Sequence, residues 1–199
     1  RDYNTRDLGQ ILYAWAGLGF RPEAQSLERL LQAQGARLRE CSTQTLANTV
    51  WSLAKLEHSP HPAFLEEVEH QLETKSRREK PTTQCLSTTL WSFCKLGHSP
   101  GAGFLEWVAG ALVDGAEDMS EQQVGNVLWA YATAEWPMPE ELRRVCAARA
   151  GELCPKMQPA ALDQAMWGLA ALGHSPNRWL LTNFHRRCMQ VLSKSGRGT

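Results

Sequence analysis

The sequence predicts an all-α fold: a right-handed-type α-solenoid of five tandem helical hairpins with a period of about 38 residues. Three observations carry this. A decapeptide is spelled nearly identically three times, as WSLAKLEHSP at 51–60, WSFCKLGHSP at 91–100 and WGLAALGHSP at 167–176. An aromatic anchor recurs at Tyr13, Trp51, Trp91, Trp129 and Trp167, in steps of 38, 40, 38 and 38 residues. Apolar residues follow helical spacing, and nothing alternates with the period of two that marks a strand.

Each repeat divides into two helices. The first repeat is the most divergent, with Tyr13 as its anchor and SLERLLQAQGARL (26–38) as its second helix, where Leu27, Leu30 and Leu31 form an apolar face. The second opens with QTLANTVWSLAKL (44–56) and continues with AFLEEVEHQLETK (63–75). Counted from the anchor, its apolar positions −5, −1, +2 and +5 are Leu46, Val50, Leu53 and Leu56, one face of a helix. The third repeats them as Leu86, Leu90, Phe93 and Leu96 in QCLSTTLWSFCKL (84–96), followed by GFLEWVAGALVDG (103–115). The fourth pairs QQVGNVLWAYATA (122–134) with EELRRVCAARAGEL (140–153), and the fifth pairs PAALDQAMWGLAAL (159–172) with RWLLTNFHRRCMQVL (178–192). Positions −4 and +3 are small (Ala47 and Ala54, Ser87 and Cys94, Gly125 and Ala132), leaving room for a neighbouring helix over a buried indole. The repeats fall at about 5–40, 41–80, 81–119, 120–157 and 158–195 of a single domain over 1–195, with a polar tail at 196–199.

The LGHSP element is a helix–turn–helix corner. Gly97 and Gly173 suit the left-handed position after a helix, Ser99 and Ser175 an N-cap, and Pro100 and Pro176 the first turn of the next helix. Glu57 stands where Gly is expected, and AEWPMP (134–139) replaces the element in the fourth repeat. A shared metal site at His58, His98 and His174 is excluded on distance: packed helices lie about 8–10 Å apart, whereas zinc ligands lie about 2.0–2.1 Å from the ion. No metal or cofactor is expected.

Formal charge balances at zero but is distributed unevenly. Residues 101–142 carry eight acids and no Lys or Arg; residues 143–199 carry nine bases against Glu152 and Asp163, 9 − 2 = +7. The acidic stretch suggests a protein neighbour, the basic end an anion. Six cysteines without CxxC spacing read as reduced, mostly buried thiols. No apolar run reaches membrane-spanning length, so no membrane is expected among the partners. The chain opens on Arg1, so that any targeting peptide would already be absent. No phosphate-binding loop, GxGxxG, HExxH or GxSxG motif occurs, and an enzyme is not expected.

TLANTVWSLAKLEHSP (45–60), CLSTTLWSFCKLGHSP (85–100), ALDQAMWGLAALGHSP (161–176) and the GFLEWV opening of a second helix (103–108) resemble the octotricopeptide repeat family of organellar helical-repeat proteins. The resemblance implies an RNA-binding factor of a mitochondrion or chloroplast, acting on transcripts or as a subunit of an organellar ribosome. The residues themselves nominate contacts on the first-helix face at −3, +1 and +4. These are Gln10; Asn48, Ser52 and Lys55; Thr88, Ser92 and Lys95; Asn126 and Thr133; and Gln164. An amide offers both donor and acceptor to a base edge, and lysine meets phosphate. The same polar row could instead be a ladder tying helices together. Arg178, Arg186 and Arg187, with Lys194 and Arg197, nominate a phosphate-binding end. The alternative function is a protein-binding scaffold within a larger complex.

Overall fold

The computed structural model describes residues 3–76 and 78–195. Arg77, Arg197 and the tail at 196–199 lie outside the described residues, as does the side chain of Lys194. Ten α-helices and no strand occur among the described residues: α1 Thr5–Leu18, α2 Ala24–Gly35, α3 Thr43–Lys55, α4 Pro62–Ser76, α5 Thr83–Leu96, α6 Ala102–Asp114, α7 Glu121–Thr133, α8 Glu140–Leu153, α9 Pro159–Ala171 and α10 Arg178–Ser195. Short 3-10 turns at Leu38–Glu40, Ala116–Asp118 and Cys154–Lys156 lead from α2, α6 and α8 into the next repeat. The fold is all-α, as the periodicity requires.

Two compact units divide the chain, one up to Trp107 and one from Val108. In the first, α3 packs between α1 and α5, with α2 and α4 alongside. In the second, α7 lies along α9, while α8 and α10 pack together. The apolar positions read from the sequence form the interior: Leu46, Val50, Leu53, Leu90 and Phe93 are fully buried. The first helices start on side-chain caps where the sequence supplies an oxygen. Asn4, Ser42, Thr82 and Ser120 each accept from the backbone N–H three residues on. In the last of these Gln123 reaches back to the Ser120 N–H and completes a capping box.

All five first helices end in the same corner. The residue six beyond the anchor is left-handed: Gly19 at φ 65°, Glu57 at 55°, Gly97 at 70°, Glu135 at 54° and Gly173 at 66°. The next residue donates its N–H back to the carbonyl two beyond the anchor, His58 to Leu53, His98 to Phe93, Trp136 to Tyr131, His174 to Leu169 and Phe20 to Trp15. This is the 6→1 bond of a Schellman motif. Its ring then packs on the residue whose carbonyl it binds: His98 meets Phe93 edge-on at 4.6 Å, and Trp136 meets Tyr131 edge-on at 5.9 Å. The histidine of LGHSP is thus a corner packing group. Its outer nitrogen turns to an acid on the preceding second helix, His98 to Glu69 at 2.7 Å and His58 to Glu28 at 3.4 Å. Glu69 also accepts from the Gly101 N–H at 2.8 Å, tying the corner to the start of α6.

The caps after the corner differ from expectation. Ser99 and Ser175 do not cap. Helix α6 begins after Gly101, and α10 begins after Asn177, whose side chain accepts from the Leu180 N–H at 2.9 Å. Pro100 and Pro176 thus lie in the connection, two residues before each helix begins, rather than at its first position.

Candidate nucleic-acid interface

The middle first helices α3, α5 and α7 bury most of their residues and reach solvent along a single line. Between Leu46 and Ala54 of α3 only Asn48 and Trp51 are not fully buried. Between Cys85 and Phe93 of α5 the exceptions are Thr88 and Trp91; between Gln123 and Tyr131 of α7 they are Asn126 and Trp129. The exposed residues Gln44 and Lys55, Gln84 and Lys95, and Gln122 and Thr133 extend each line at its ends. Counted from the anchor the line runs −7, −3, 0, +4, the i, i+4, i+7, i+11 spacing of one helix edge.

This corrects two expectations. Ser52 and Ser92, nominated at +1, are fully buried and donate their hydroxyls to the Asn48 and Thr88 carbonyls at 2.7 Å. A small residue is needed there because the preceding first helix passes close by. At the equivalent Gly168, a Cβ would lie 2.8 Å from the Leu128 backbone. The anchor rings move the other way. Trp51, Trp91 and Trp129 are half-buried rather than core, and Trp167 is 46% exposed because α9 has no further first helix beside it among the described residues. The edge that +1 was expected to share with −3 belongs to the anchor itself.

The −3 row is polar and only partly committed. Gln44 donates to Asn48 Oδ1 at 2.8 Å, Gln84 to Thr88 Oγ1 at 3.2 Å and Gln122 to Asn126 Oδ1 at 2.9 Å, each within its own helix. Gln122 also donates laterally, to Gln164 Oε1 at 3.3 Å. On α3, α5 and α7 the −3 side chain is thus an acceptor for the glutamine one turn before it. Gln10 is exposed and lines a groove of about 520 Å³ between α1 and α3 with Arg6, Gln44 and Asn48. Glu40 stands on its rim, where the Arg37 guanidinium at 2.6 Å holds its carboxyl below the usual value. Tyr13 and Trp51 meet with ring centroids 4.9 Å apart and planes at 32°. The Lys95 ammonium lies 5.9 Å over the Trp91 ring. Sequence reasoning missed Arg6, Gln44, Gln84 and the anchors as surface groups; their i−4 and i+3 spacing from the −3 row was the available signal.

The basic end contributes less than its count. Arg143, Arg144 and Arg149 pair with Glu140, Glu141 and Glu152 along α8, so the acidic and basic blocks partly neutralise one another. Arg187 spends its guanidinium on the Met157 carbonyl, with bonds of 2.6 and 3.0 Å, as Arg149 does on Met119 at 3.0 Å one repeat earlier. Both close a 3-10 turn, which corrects Arg187 as a phosphate ligand. Arg178 and Arg186 are exposed. Among the described residues no cluster of His, Cys, Asp or Glu could hold a metal, and no helix is long and apolar enough to cross a membrane.

The first unit carries the most complete version of this edge, with amides, rings and cations on α1, α3 and α5. Residues 9–101 match the family described as Tbc2 translation factor, N-terminal domain. The matched stretch runs from within α1 to the start of α6 and thus takes in every one of those residues from Gly9 onward. No curated protein matches the chain. The similarity is to a translation-factor domain, and it falls on the part of the chain where polar, aromatic and basic side chains share one surface.

Proposed function

We propose that this protein is a non-enzymatic RNA-binding helical-repeat factor of organellar gene expression, with RNA lying along the exposed edge of the first helices. One observation carries the reading. Each interior first helix offers solvent an amide or hydroxyl, an indole and flanking polar or cationic groups, and buries nearly everything else. That edge has donors and acceptors for bases and, on α3 and α5, cations for phosphate. Similarity of residues 9–101 to a translation-factor domain supports a role in translation, within a ribonucleoprotein such as an organellar ribosome. The octotricopeptide resemblance of the repeats supports the same assignment and an organellar location. Five repeats contacting one base each would read about five bases, too few to single out one transcript, which favours action inside a larger complex.

Crosslinking in native extract followed by sequencing of the bound RNA tests this. Enrichment of organellar ribosomal or messenger RNA is expected; recovery of protein partners with no RNA above background would overturn it. A second reading has one observation in its favour: α10 exposes Trp179, Leu181, Met189 and Leu192, a surface suited to a protein neighbour. That reading makes the chain a scaffold, and it predicts the protein-only outcome.

A further inference from the structure

We infer that the anchor rings of the first unit, Tyr13, Trp51 and Trp91, are stacking platforms for the unpaired bases of single-stranded RNA. This rests on the RNA-binding reading above and specifies the class of RNA and the contact that selects it.

Trp51 packs against the core cluster of the first unit, yet neither it nor Trp91 is fully buried. Val50 and Leu53, beside Trp51 in sequence, are completely buried, and so are Leu90 and Phe93 around Trp91. The indoles instead lie in the one line of each helix that solvent reaches, and Tyr13 is 48% exposed. Tyr13 and Trp51, tilted by 32° at 4.9 Å, form a joined aromatic surface spanning α1 and α3. One turn before each ring stands an amide or hydroxyl (Gln10, Asn48, Thr88), and one turn after Trp51 and Trp91 stands a lysine. The order along each helix is hydrogen-bonding group, ring, cation. A nucleotide presents an edge, a face and a phosphate.

Charge supports the same occupant. The −7, −3, 0 and +4 positions of α1, α3 and α5 include Arg6, Lys55 and Lys95 and no carboxylate. The groove between α1 and α3 is of ligand-holding size at about 520 Å³, and its one acid, Glu40, is paired to Arg37. A duplex covers its base faces by its own stacking and is read by shape, 2′-hydroxyls and phosphates; a half-sunk ring has nothing to stack on there. A single strand offers its faces freely, and base–aromatic stacking tolerates sequence because every base has a π-face. Binding is therefore expected to favour strand state over sequence, with Asn48 and Thr88 adding a weaker preference among bases.

The test measures fluorescence anisotropy with labelled oligouridylate, oligoadenylate and a duplex of mixed sequence. Wild-type protein should bind both single strands more tightly than the duplex. Tyr13→Leu and Trp51→Leu should each weaken single-strand binding roughly 5- to 150-fold, while Trp51→Phe, which keeps a ring, should retain most of it. Strands carrying 5-iodouracil should photocrosslink to Tyr13, Trp51 or Trp91. Tyr13→Leu decides the matter if Trp51→Leu loses its cooperative melt, since the Tyr13 ring is exposed. Wild-type protein that binds none of the three probes overturns the RNA-binding reading altogether. Wild-type binding that survives undiminished in folded Tyr13→Leu and Trp51→Leu, or that prefers the duplex, overturns the stacking proposal alone.

Discussion

Replacing Gly168 by alanine measures how closely the first helices of the second unit approach. A Cβ built at Gly168 lies 2.8 Å from the Leu128 backbone carbon and 2.9 Å from both Leu128 O and Cβ. Ordinary contact begins near 3.4 Å, so α7 and α9 must separate by 3.4 − 2.8 = 0.6 Å, and the obstructing atoms are helix backbone that cannot swing aside. Overpacking of this kind costs about 1–3 kcal/mol. Alanine also returns about 1 kcal/mol of helix propensity, which hides part of the loss. Gly110→Ala supplies the control: it lies mid-helix in α6, in the same unit, and its Cβ meets nothing within 4 Å. It should gain up to about 1 kcal/mol with no packing cost. The two variants should therefore differ by about 1–3 kcal/mol in guanidinium denaturation followed by circular dichroism, at unchanged m. If Gly168→Ala is stabilised as much as Gly110→Ala, the helices are not in contact at +1. The explanation given for the burial of Ser52 and Ser92 would then fail with it.

Three further outcomes follow from the corners and the buried thiols. Glu135→Gly should stabilise by about 1 kcal/mol, because a left-handed L-residue is strained and glycine is not; Glu57→Gly should gain less, since it gives up the exposed pair with Arg21. A differential melt reads both, and Gly97→Ala, with open space around its Cβ, should show the opposite sign. Glu69→Ala should cost about 2–3 kcal/mol in urea titration, since it strips a mostly buried carboxylate from both His98 and the Gly101 N–H; a change under 0.5 kcal/mol, of the size usual for neutral surface substitutions, would show that the corner stands without it. Burial pushes the Cys85 and Cys146 thiols from the usual 9.0 up to about 12. Folded-state values above the unfolded ones mean that this stability is intact below pH 9.0 and declines as pH rises toward 12. Cys146→Ala should flatten that alkaline limb, and in native protein at neutral pH a thiol reagent should label the half-buried Cys94 and Cys188 before the other four, as mass spectrometry can verify.

The period, the paired helices and the interior positions were legible because each rests on a large apolar residue recurring at helical spacing, and burial of such residues dominates the fold. The edge facing solvent was displaced by one residue for a related reason. Tryptophan reads as core by size, and serine reads as surface by polarity; here the small Ser52 and Ser92 fit beneath a neighbour and satisfy their hydroxyls on the preceding turn, while the larger rings are only partly covered. Glu57 and Glu135 gave no sign of a left-handed backbone, since glutamate has no preference for it; only their register with Gly19, Gly97 and Gly173 reveals the shared corner. In the same way AEWPMP looked like a broken repeat, yet Trp136 occupies the place of the histidines and packs on Tyr131 as His98 packs on Phe93. Charge blocks misled because pairing along α8 depends on i, i+3 spacing, which a tally over fifty residues averages away.

The single solvent line on each interior helix separates two kinds of selection. A change at Gln44, Asn48 or Lys55 alters what α3 shows to the outside without disturbing the fully buried residues that hold it between α1 and α5. Neighbouring hairpins are therefore free to diverge in their outward vocabulary while remaining interchangeable as building blocks. Grafting the α3 line onto α7, by Thr133→Lys at the one position of the four where their chemistry differs, would rewrite a repeat's chemistry with a single codon and leave its masonry untouched.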